Sequence, residues 1–443
     1  MKSRILQNIT AEVTIRPLLA GRHIQLIGSF ILGQGAVQFV QLLTGFLLLR
    51  WLTVEQYAQY SVAFAFQSTA QILVELGFSG SVIALVGSRI NNKEVLGGYI
   101  RAGKFFRNRL FAIVAALCLV GFPLVTAHHH WPFYVTLLLL LAIISNLYLS
   151  GNNAFYGTPL IIHQKLREFY RIQLKSGLSR LAFLGILSFF SFLNAWLAAM
   201  AASALVWYNG RFYKAKSQRY IEEPAVSAEN TKKEMLRYVK PVMPGIIYAA
   251  FSSQIALFII SIFGNTQNIA EVGALGRVGQ IFLILNAASS TLVVPYLARQ
   301  PGKNLEKKYL KIISGATIIA MVMTLIAFVF PEPFLLIMGG KYAHLDREIG
   351  LLVLNSAIIF LNVVMWDMNC SRKWLWNWIP ILSISSNILV QILLIFKMDL
   401  DTTYNVLIYS LILNVFNLSN KILVAFIGLK KTKHEIDLFS EGS

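Results

Sequence analysis

Apolar residues run in twelve stretches, roughly 24–49, 57–86, 110–127, 132–150, 177–193, 195–210, 241–263, 272–297, 312–330, 349–368, 374–396 and 403–427, with polar gaps between them. A helix needs about 20 apolar residues to cross about 30 Å of hydrocarbon. The pattern therefore predicts twelve spans, the shorter at the lower limit and the longer tilted or projecting beyond the bilayer. Backbone groups in lipid must be paired within their own segment, and no ten-residue alternating segments suggest a barrel. The expected fold class is an all-α membrane protein.

Charge then sets an orientation. The two tails and the even-numbered gaps account for 34 of the 39 Lys and Arg, while Arg50, Arg277, Lys341, Arg347 and Lys397 lie in or beside the odd-numbered gaps. Positive charge beside a span stays in the cytoplasm. This predicts a multi-pass protein of a bacterial inner (plasma) membrane with both termini cytoplasmic. The cytoplasmic parts carry 34 basic and 11 acidic residues and the outer parts 5 and 7, so the net charge of +19 collects where anionic lipids would meet it. That placement argues against a nucleic-acid surface. Cys118 and Cys370 both sit in apolar segments and argue against a disulfide framework or a thiol metal site. The mixed, basic first 23 residues show no cleavable signal pattern, so span 1 is expected to be an uncleaved anchor.

The longest gap divides the chain. We expect a cytoplasmic N-terminal arm (1–23), an N-lobe of spans 1–6 (24–210), a cytoplasmic linker without a helical apolar face (211–240), a C-lobe of spans 7–12 (241–427) and a cytoplasmic tail (428–443). The halves look related. Trp51-Leu-Thr-Val-Glu-Gln-Tyr57 leads into span 2, and Asn268-Ile-Ala-Glu-Val272-Gly273 leads into span 8, at an offset of about 215 residues. Six spans per half make these parallel pseudo-repeats, so two six-helix lobes should surround a central cavity, as is typical of transporters. The outer loops are too short for a folded external domain.

Polar groups in hydrocarbon usually face a cavity or a partner helix. Helical spacing puts Gln34, Gln38 and Gln41 on one face of span 1, and Gln67, Gln71 and Glu75 on one face of span 2. Span 7 carries Pro241, Pro244, Tyr248 and Ser252, and span 8 opens with Glu271, Arg277 and Gln280. For one glutamine alone, interhelical hydrogen bonding is the simpler account, at roughly 0.6–2 kcal/mol per bond. Four corresponding helices together favour a hydrophilic cavity lined by spans 1, 2, 7 and 8. The stripes of spans 10–12 (Asn355 and Asn362; Ser383, Asn387 and Gln391; Ser410, Asn414 and Asn417) read as mutual packing. Asp367 is the exception, and it stands with Glu75 as a candidate for ion coupling. Arg277 has two readings: snorkelling to the outer interface, or a fixed cation for a phosphate. Arg50, at the end of span 1, is expected to snorkel. The run His128-His129-His130 reads as an interfacial cap, since adjacent histidines point apart. There is no Walker motif, nucleophile elbow or zinc spacing, so neither a metal nor a cofactor is implied.

The stretch Leu49-Arg50-Trp-Leu-Thr-Val-Glu-Gln-Tyr-Ala-Gln-Tyr60, continuing through Glu75-Leu-Gly-Phe-Ser79, resembles the start of bacterial polysaccharide (O-antigen and capsule repeat-unit) flippases of the multidrug/oligosaccharidyl-lipid/polysaccharide exporter superfamily. Thr53-Val54 stands where that pattern usually has Gly-Pro, and Val294-Pro295-Tyr-Leu-Ala298 is similar to its Leu-Pro-x-Leu ending of span 8. The resemblance implies alternating access and an undecaprenyl-pyrophosphate-linked oligosaccharide as cargo, with a monomer making transient contacts with polymerase or export machinery. The superfamily's peptidoglycan-precursor branch places an arginine about eighteen residues before this proline. Arg277 stands 18 before Pro295, so the resemblance assigns it a pyrophosphate contact. Two further cavity arginines of that branch correspond here to Thr44 and Gln71. Gln34, Gln38, Gln67, Gln71, Tyr248 and Gln280 are expected to line the substrate cavity with Arg277.

Two rivals remain. An ion-coupled multidrug or cation antiporter of the same superfamily needs a cavity dominated by carboxylates and aromatics, whereas Glu75 is the lone carboxylate offered on the lining helices and Arg277 opposes it. A membrane polymerase or ligase needs a large outer loop, which is missing. No enzymatic activity is expected.

Overall fold

Thr53 starts the first long helix after a two-residue break. Its side chain accepts from the Gln56 amide at 3.2 Å, and the Gln56 side chain accepts from the Thr53 amide at 3.3 Å. This reciprocal cap satisfies two of the donors a helix start leaves open. The computed structural model describes residues 32–222, 229–298, 300, 305–374, 376 and 378–441, which are helical with no strand among them. The N-terminal arm and the start of span 1 lie outside the described residues.

The helices before the linker are α1 (Leu32–Trp51), α2 (Val54–Glu75), α3 (Phe78–Val86), α4 (Lys93–His128), α5 (Phe133–Ile162), α6 (Leu166–Phe189) and α7 (Ala195–Ser217). Beyond them come α8 (Glu229–Val239), α9 (Met243–Ser252), α10 (Ile255–Phe263), α11 (Thr266–Gly279), α12 (Phe282–Ala288), a π-helical turn over Ser289–Val293, and α13 (Val294–Ala298). The last are α14 (Leu305–Val329), α15 (Glu332–Met338), α16 (Asp346–Ser371), α17 (Trp378–Lys397) and α18 (Thr403–Glu441). Among the described residues, eight helices are long and apolar enough to cross a membrane, or nine when α9 and α10, bent by 53°, are taken as one broken span. The expected spans 5, 6 and 8 correspond to α6, α7 and α11–α13, which are helical but below that length-and-apolarity threshold.

Several gaps in the apolar pattern are helix. Residues 93–109 belong to α4 and 151–162 to α5, so their basic side chains ride on extensions of the spans. The linker differs from expectation more sharply. It contains α8, whose Met235 and Val239 are buried against α3 and α4 side chains. These two residues are four apart, one helical turn, and supply the apolar face that the mixed charge around them hides.

Helices before the linker pack mainly on one another, through α5 with α7 and α2 with α4 and α5. Those after it do the same, through α16 with α14 and α18. Helix α2 joins the two sets by lying against α9, α10 and α11. We call the end holding residues 128–133 and 263–268 the charge-poor end, and the opposite one the basic end.

Candidate functional site

Both helices that carry the site are broken where it forms. The α9–α10 break at Ser253–Gln254 frees backbone acceptors in what would be the membrane interior. The Ala250 carbonyl accepts from Ser253 Oγ at 2.8 Å and from Thr69 Oγ1 of α2 at 3.2 Å. Side chains re-satisfy the bend, which is how such breaks are tolerated in lipid. Helix α11 ends at Gly279, and Gln280 caps it.

Arg277 lies in the last turn of α11, where its charge complements the helix dipole. It is buried, so the structure gives the placement inside the protein and not the snorkelling one. Its Nε donates to the Tyr57 hydroxyl at 3.3 Å and its Nη1 to Gln280 Oε1 at 3.5 Å. The guanidinium lies 4.5 Å from the Phe64 ring centre and 5.9 Å from that of Tyr60. Tyr57, Tyr60 and Phe64 fall at helical spacing on α2. Among the described residues no Asp or Glu forms an ion pair with Arg277. It borders a cavity of about 380 Å³ with Ser61, Phe64, Gln254, Gln280, Asn286 and Asn355. A second cavity of about 190 Å³ shares Gln254 and Asn355 with the first and adds Tyr248, Asn387, Gln391 and Asn414.

Of the sequence-predicted lining residues, Arg277, Gln280 and Tyr248 border these cavities. Gln34, Gln38, Gln67 and Gln71 are half-buried and line neither. The stripes of spans 10 and 12 do pack on one another, as Asn414 Nδ2 to Asn355 Oδ1 at 2.9 Å and Asn362 Nδ2 to the Asn414 carbonyl at 2.9 Å show, whereas Gln391 of span 11 donates to the Tyr248 hydroxyl at 3.3 Å. They also wall the smaller cavity, which mutual packing alone does not account for. Thr44 bonds within its own helix, to the Val40 carbonyl at 2.7 Å.

Glu75 and Asp367 sit in separate halves, each with its own partners. Glu75 ends α2 before a break at Leu76 and Gly77, both at positive φ. It accepts from Ser79 Oγ at 3.4 Å, is hydrogen-bonded by Gln71, and feels the Arg107 charge from α4. Arg107 is itself buried, donating to the carbonyls of Leu147 and Tyr148 and to Ser150 Oγ. Asp367 accepts from Ser289 Oγ at 3.1 Å and Ser290 Oγ at 2.8 Å, both on the π-helical turn. Lys421 of α18 approaches it electrostatically and donates to the Asn362 carbonyl at 3.1 Å.

At the charge-poor end the halves are stitched by polar contacts. The Arg50 guanidinium donates to the carbonyls of Ile337 and Leu336 at the end of α15. Lys341 Nζ donates to the carbonyls of Arg50 at 3.0 Å and Leu52 at 2.6 Å. Trp131 Nε1 donates to Thr266 Oγ1 at 3.4 Å, and His129 Nε2 lies 2.8 Å from the Ser261 carbonyl. Burial pushes the His129 imidazole below its usual range, with the neighbouring His128 and His130 acting the same way and the Ser261 carbonyl opposing them. Arg50 is thus a clasp between the two halves of the chain.

The sequence reading missed Tyr57, Tyr60, Arg180 and Lys421 as interior polar groups. The last two were counted with the cytoplasmic charge, although both fall inside apolar stretches. Arg180 of α6 donates from Nη2 to the Tyr60 hydroxyl at 3.3 Å. The signal was present: an arginine three residues into a span, and aromatics at i, i+3 and i+7 on a helix with a polar face.

No protein-family model matches the chain, and no curated protein does. Solved structures do. A eukaryotic MATE transporter, AtDTX14, is 14% identical, with 93% of this chain and 97% of that one covered at a TM-score of 0.56. A mutant form of the Vibrio cholerae MATE transporter VcmN is 15% identical over 94% of this chain and 98% of its own, also at 0.56. An outward-facing multidrug-resistance MATE transporter of the MOP superfamily is 12% identical over 94% and 96%, at 0.55. At these identities the likeness is one of fold: the chain has the fold of the MATE transporters along nearly its whole length.

Proposed function

We propose that this chain is a secondary transporter of the bacterial inner membrane that moves an anionic cargo by alternating access. We further propose that the cargo is an undecaprenyl-pyrophosphate-linked oligosaccharide, flipped to the outer leaflet for O-antigen, capsule or other exopolysaccharide synthesis. The observation that carries this reading is Arg277, a buried cation on the wall of a mostly apolar cavity that carries a few amide groups, with no carboxylate partner among the described residues. A buried charge is costly unless it is paired, and an incoming phosphate would pair it. Sugar hydroxyls need hydrogen-bonding walls, which Gln254, Gln280, Asn286 and Asn355 offer, while the isoprenoid tail can stay in lipid. Twelve spans in two six-helix lobes, with both termini cytoplasmic, belong to this reading. So does an ion gradient acting through Glu75 or Asp367.

An ion-coupled multidrug or cation antiporter is the second reading. Its support is specific: solved structures of the same fold are MATE transporters, and one is named for multidrug resistance. On the structural comparisons alone it stands ahead of the flippase. What turns the choice toward an anion is the charge of the cavity wall.

The test uses a strain lacking the gene, scored for surface polysaccharide, undecaprenyl-linked repeat units and sensitivity to toxic cations. Loss of polymer with a build-up of single units, rescued by the wild type and not by Arg277→Ala, supports the flippase. Normal polymer together with new cation sensitivity moves the chain to the antiporter reading.

A further inference from the structure

Two arginines reach one phenol. Tyr60 is buried on α2 with its ring stacked on Phe64 at 6.4 Å, and Phe64 in turn lies under the Arg277 guanidinium. Its hydroxyl accepts from Arg180 Nη2 at 3.3 Å and faces Arg277 as well. Arg180 borders a cavity of its own, about 250 Å³, with Ser176, Ser179, Phe183, Trp207 and Tyr208. Tyr60 therefore connects Arg180, on the wall of one cavity, with Arg277, on the wall of the other. Arg180 Nε is buried and has no hydrogen-bond partner, and among the described residues no acid forms an ion pair with either arginine.

The arrangement is undersupplied with acceptors. Each guanidinium carries five N–H donors. For Arg180 the Tyr60 oxygen is the acceptor in place, and for Arg277 the Tyr57 and Gln280 oxygens are, with the Tyr60 oxygen shared between the two. Neutral phenol oxygens do not neutralise two cations at membrane depth, where unpaired charge is most costly. An anion with several oxygens would satisfy both guanidinium groups at once, in the bidentate geometry that arginine favours.

We infer that Arg180 and Arg277, one from each half of the chain, form the two poles of a diphosphate subsite, and that the Tyr60 hydroxyl holds the place of the missing anion. This rests on the reading of a diphosphate-linked cargo above and deepens it: the grip spans both halves, with Arg180 as its second pole. Binding would swing Tyr60 aside and join the two cavities. A cargo held from both sides also tells the transporter that it is loaded, since neither half can move off without giving up a pole.

The experiment is a titration of the purified full-length protein in nanodiscs, followed by thermal stability and tryptophan fluorescence. One arm uses inorganic pyrophosphate, another farnesyl pyrophosphate, and a control arm farnesol. We expect pyrophosphate to bind, the prenyl ester to bind more tightly, and farnesol to leave stability unchanged. Arg180→Gln should weaken both diphosphates at least tenfold, and Arg180→Lys should recover part of the loss. Lys397→Gln, an equal loss of charge on the exposed surface, should change nothing. Tyr60→Phe separates a placeholder from a structural prop: removing a competing hydroxyl should tighten diphosphate binding, and a prop would weaken it. Diphosphate binding that is lost in Arg277→Gln but intact in both Arg180 variants would overturn the two-pole site and leave the anionic cargo standing. Absence of diphosphate binding in the wild type would overturn both.

Discussion

Arg277 Nε and the Tyr57 hydroxyl meet at 3.3 Å although 220 residues separate them in the chain. The same hydroxyl donates to the Gly273 carbonyl at 3.4 Å, one turn back on the arginine's own helix. Tyr57 therefore fastens α2 to α11 at the point where the two halves touch and where the candidate cargo cation sits. Closure of the charge-poor end and presentation of Arg277 are properties of one side chain.

Tyr57→Phe should loosen that end without unfolding the protein. Two interhelical hydrogen bonds disappear, together about 1–2 kcal/mol, which lowers the closed-to-open ratio roughly 5- to 30-fold. Spin labels at Phe133 and Ile262, in a background lacking Cys118 and Cys370, report the separation of the halves. The distance distribution should broaden and lengthen in the variant. An unchanged distribution would mean that Tyr57 does not fasten the two halves.

Gly273→Ala tests the same contact from the other helix. A Cβ built at Gly273 runs into the Ser61 hydroxyl, and it meets the Tyr57 ring at 3.4 Å. Small residues let membrane helices approach closely, and here the obstruction is α2 itself. The added methyl should push α11 off α2 and lengthen the same label pair. Gly276→Ala, which has no atom within 4 Å of the added Cβ, should leave it unchanged.

The hydrophobic pattern exposed the all-helical, many-span character of the chain, because span length and polar gaps are dictated by the bilayer. It set the borders of basic gaps poorly, since a helix that leaves the membrane changes its solvent and keeps its hydrogen bonding, so α4 and α5 run on past the apolar stretch. Arg277 could be named from sequence because an arginine inside a span is conspicuous. Arg180 and Lys421 were less conspicuous, because they lie toward the basic end of their spans, where positive charge is ordinary. Their partners, Tyr60 and the Asn362 carbonyl, come from helices more than fifty residues away, and sequence periodicity carries no information about that pairing. The four glutamines of spans 1 and 2 border neither of the two cavities described, and periodicity puts a polar stripe on one face without naming what that face meets.

Met235→Ala should destabilise the linker's attachment. Met235 is fully buried at the basic end, where α8 packs on α3 and α4, and Tyr99 donates to Glu234 at 2.6 Å beside it. Truncating a buried methionine costs about 2–5 kcal/mol. Leu236→Ala, on the exposed side of the same helix, should stay within about 0.5 kcal/mol. Thermal unfolding in detergent separates the two. Equal shifts for both variants would show that α8 does not dock through Met235.

The contact of His129 with Ser261 makes the closed charge-poor end sensitive to pH, and the sign follows from burial. Burial depresses the His129 pKa below its usual 6.5. A basic group whose pKa falls on closure contributes stability that is present in full above the free value and is lost as the pH drops through the depressed one. The neutral ring sits 2.8 Å from the Ser261 carbonyl and stacks on Trp131 at 5.4 Å, so charging it adds a cation to a partly dry seam. The spin-label pair at Phe133 and Ile262 should hold its distance from pH 8 to about 6.5 and lengthen below that. His129→Gln keeps an N–H for the Ser261 carbonyl without a titratable proton, so its profile should be flatter. A wild-type distance that is constant down to about pH 5, well below the ordinary histidine range, would remove His129 from control of the closure.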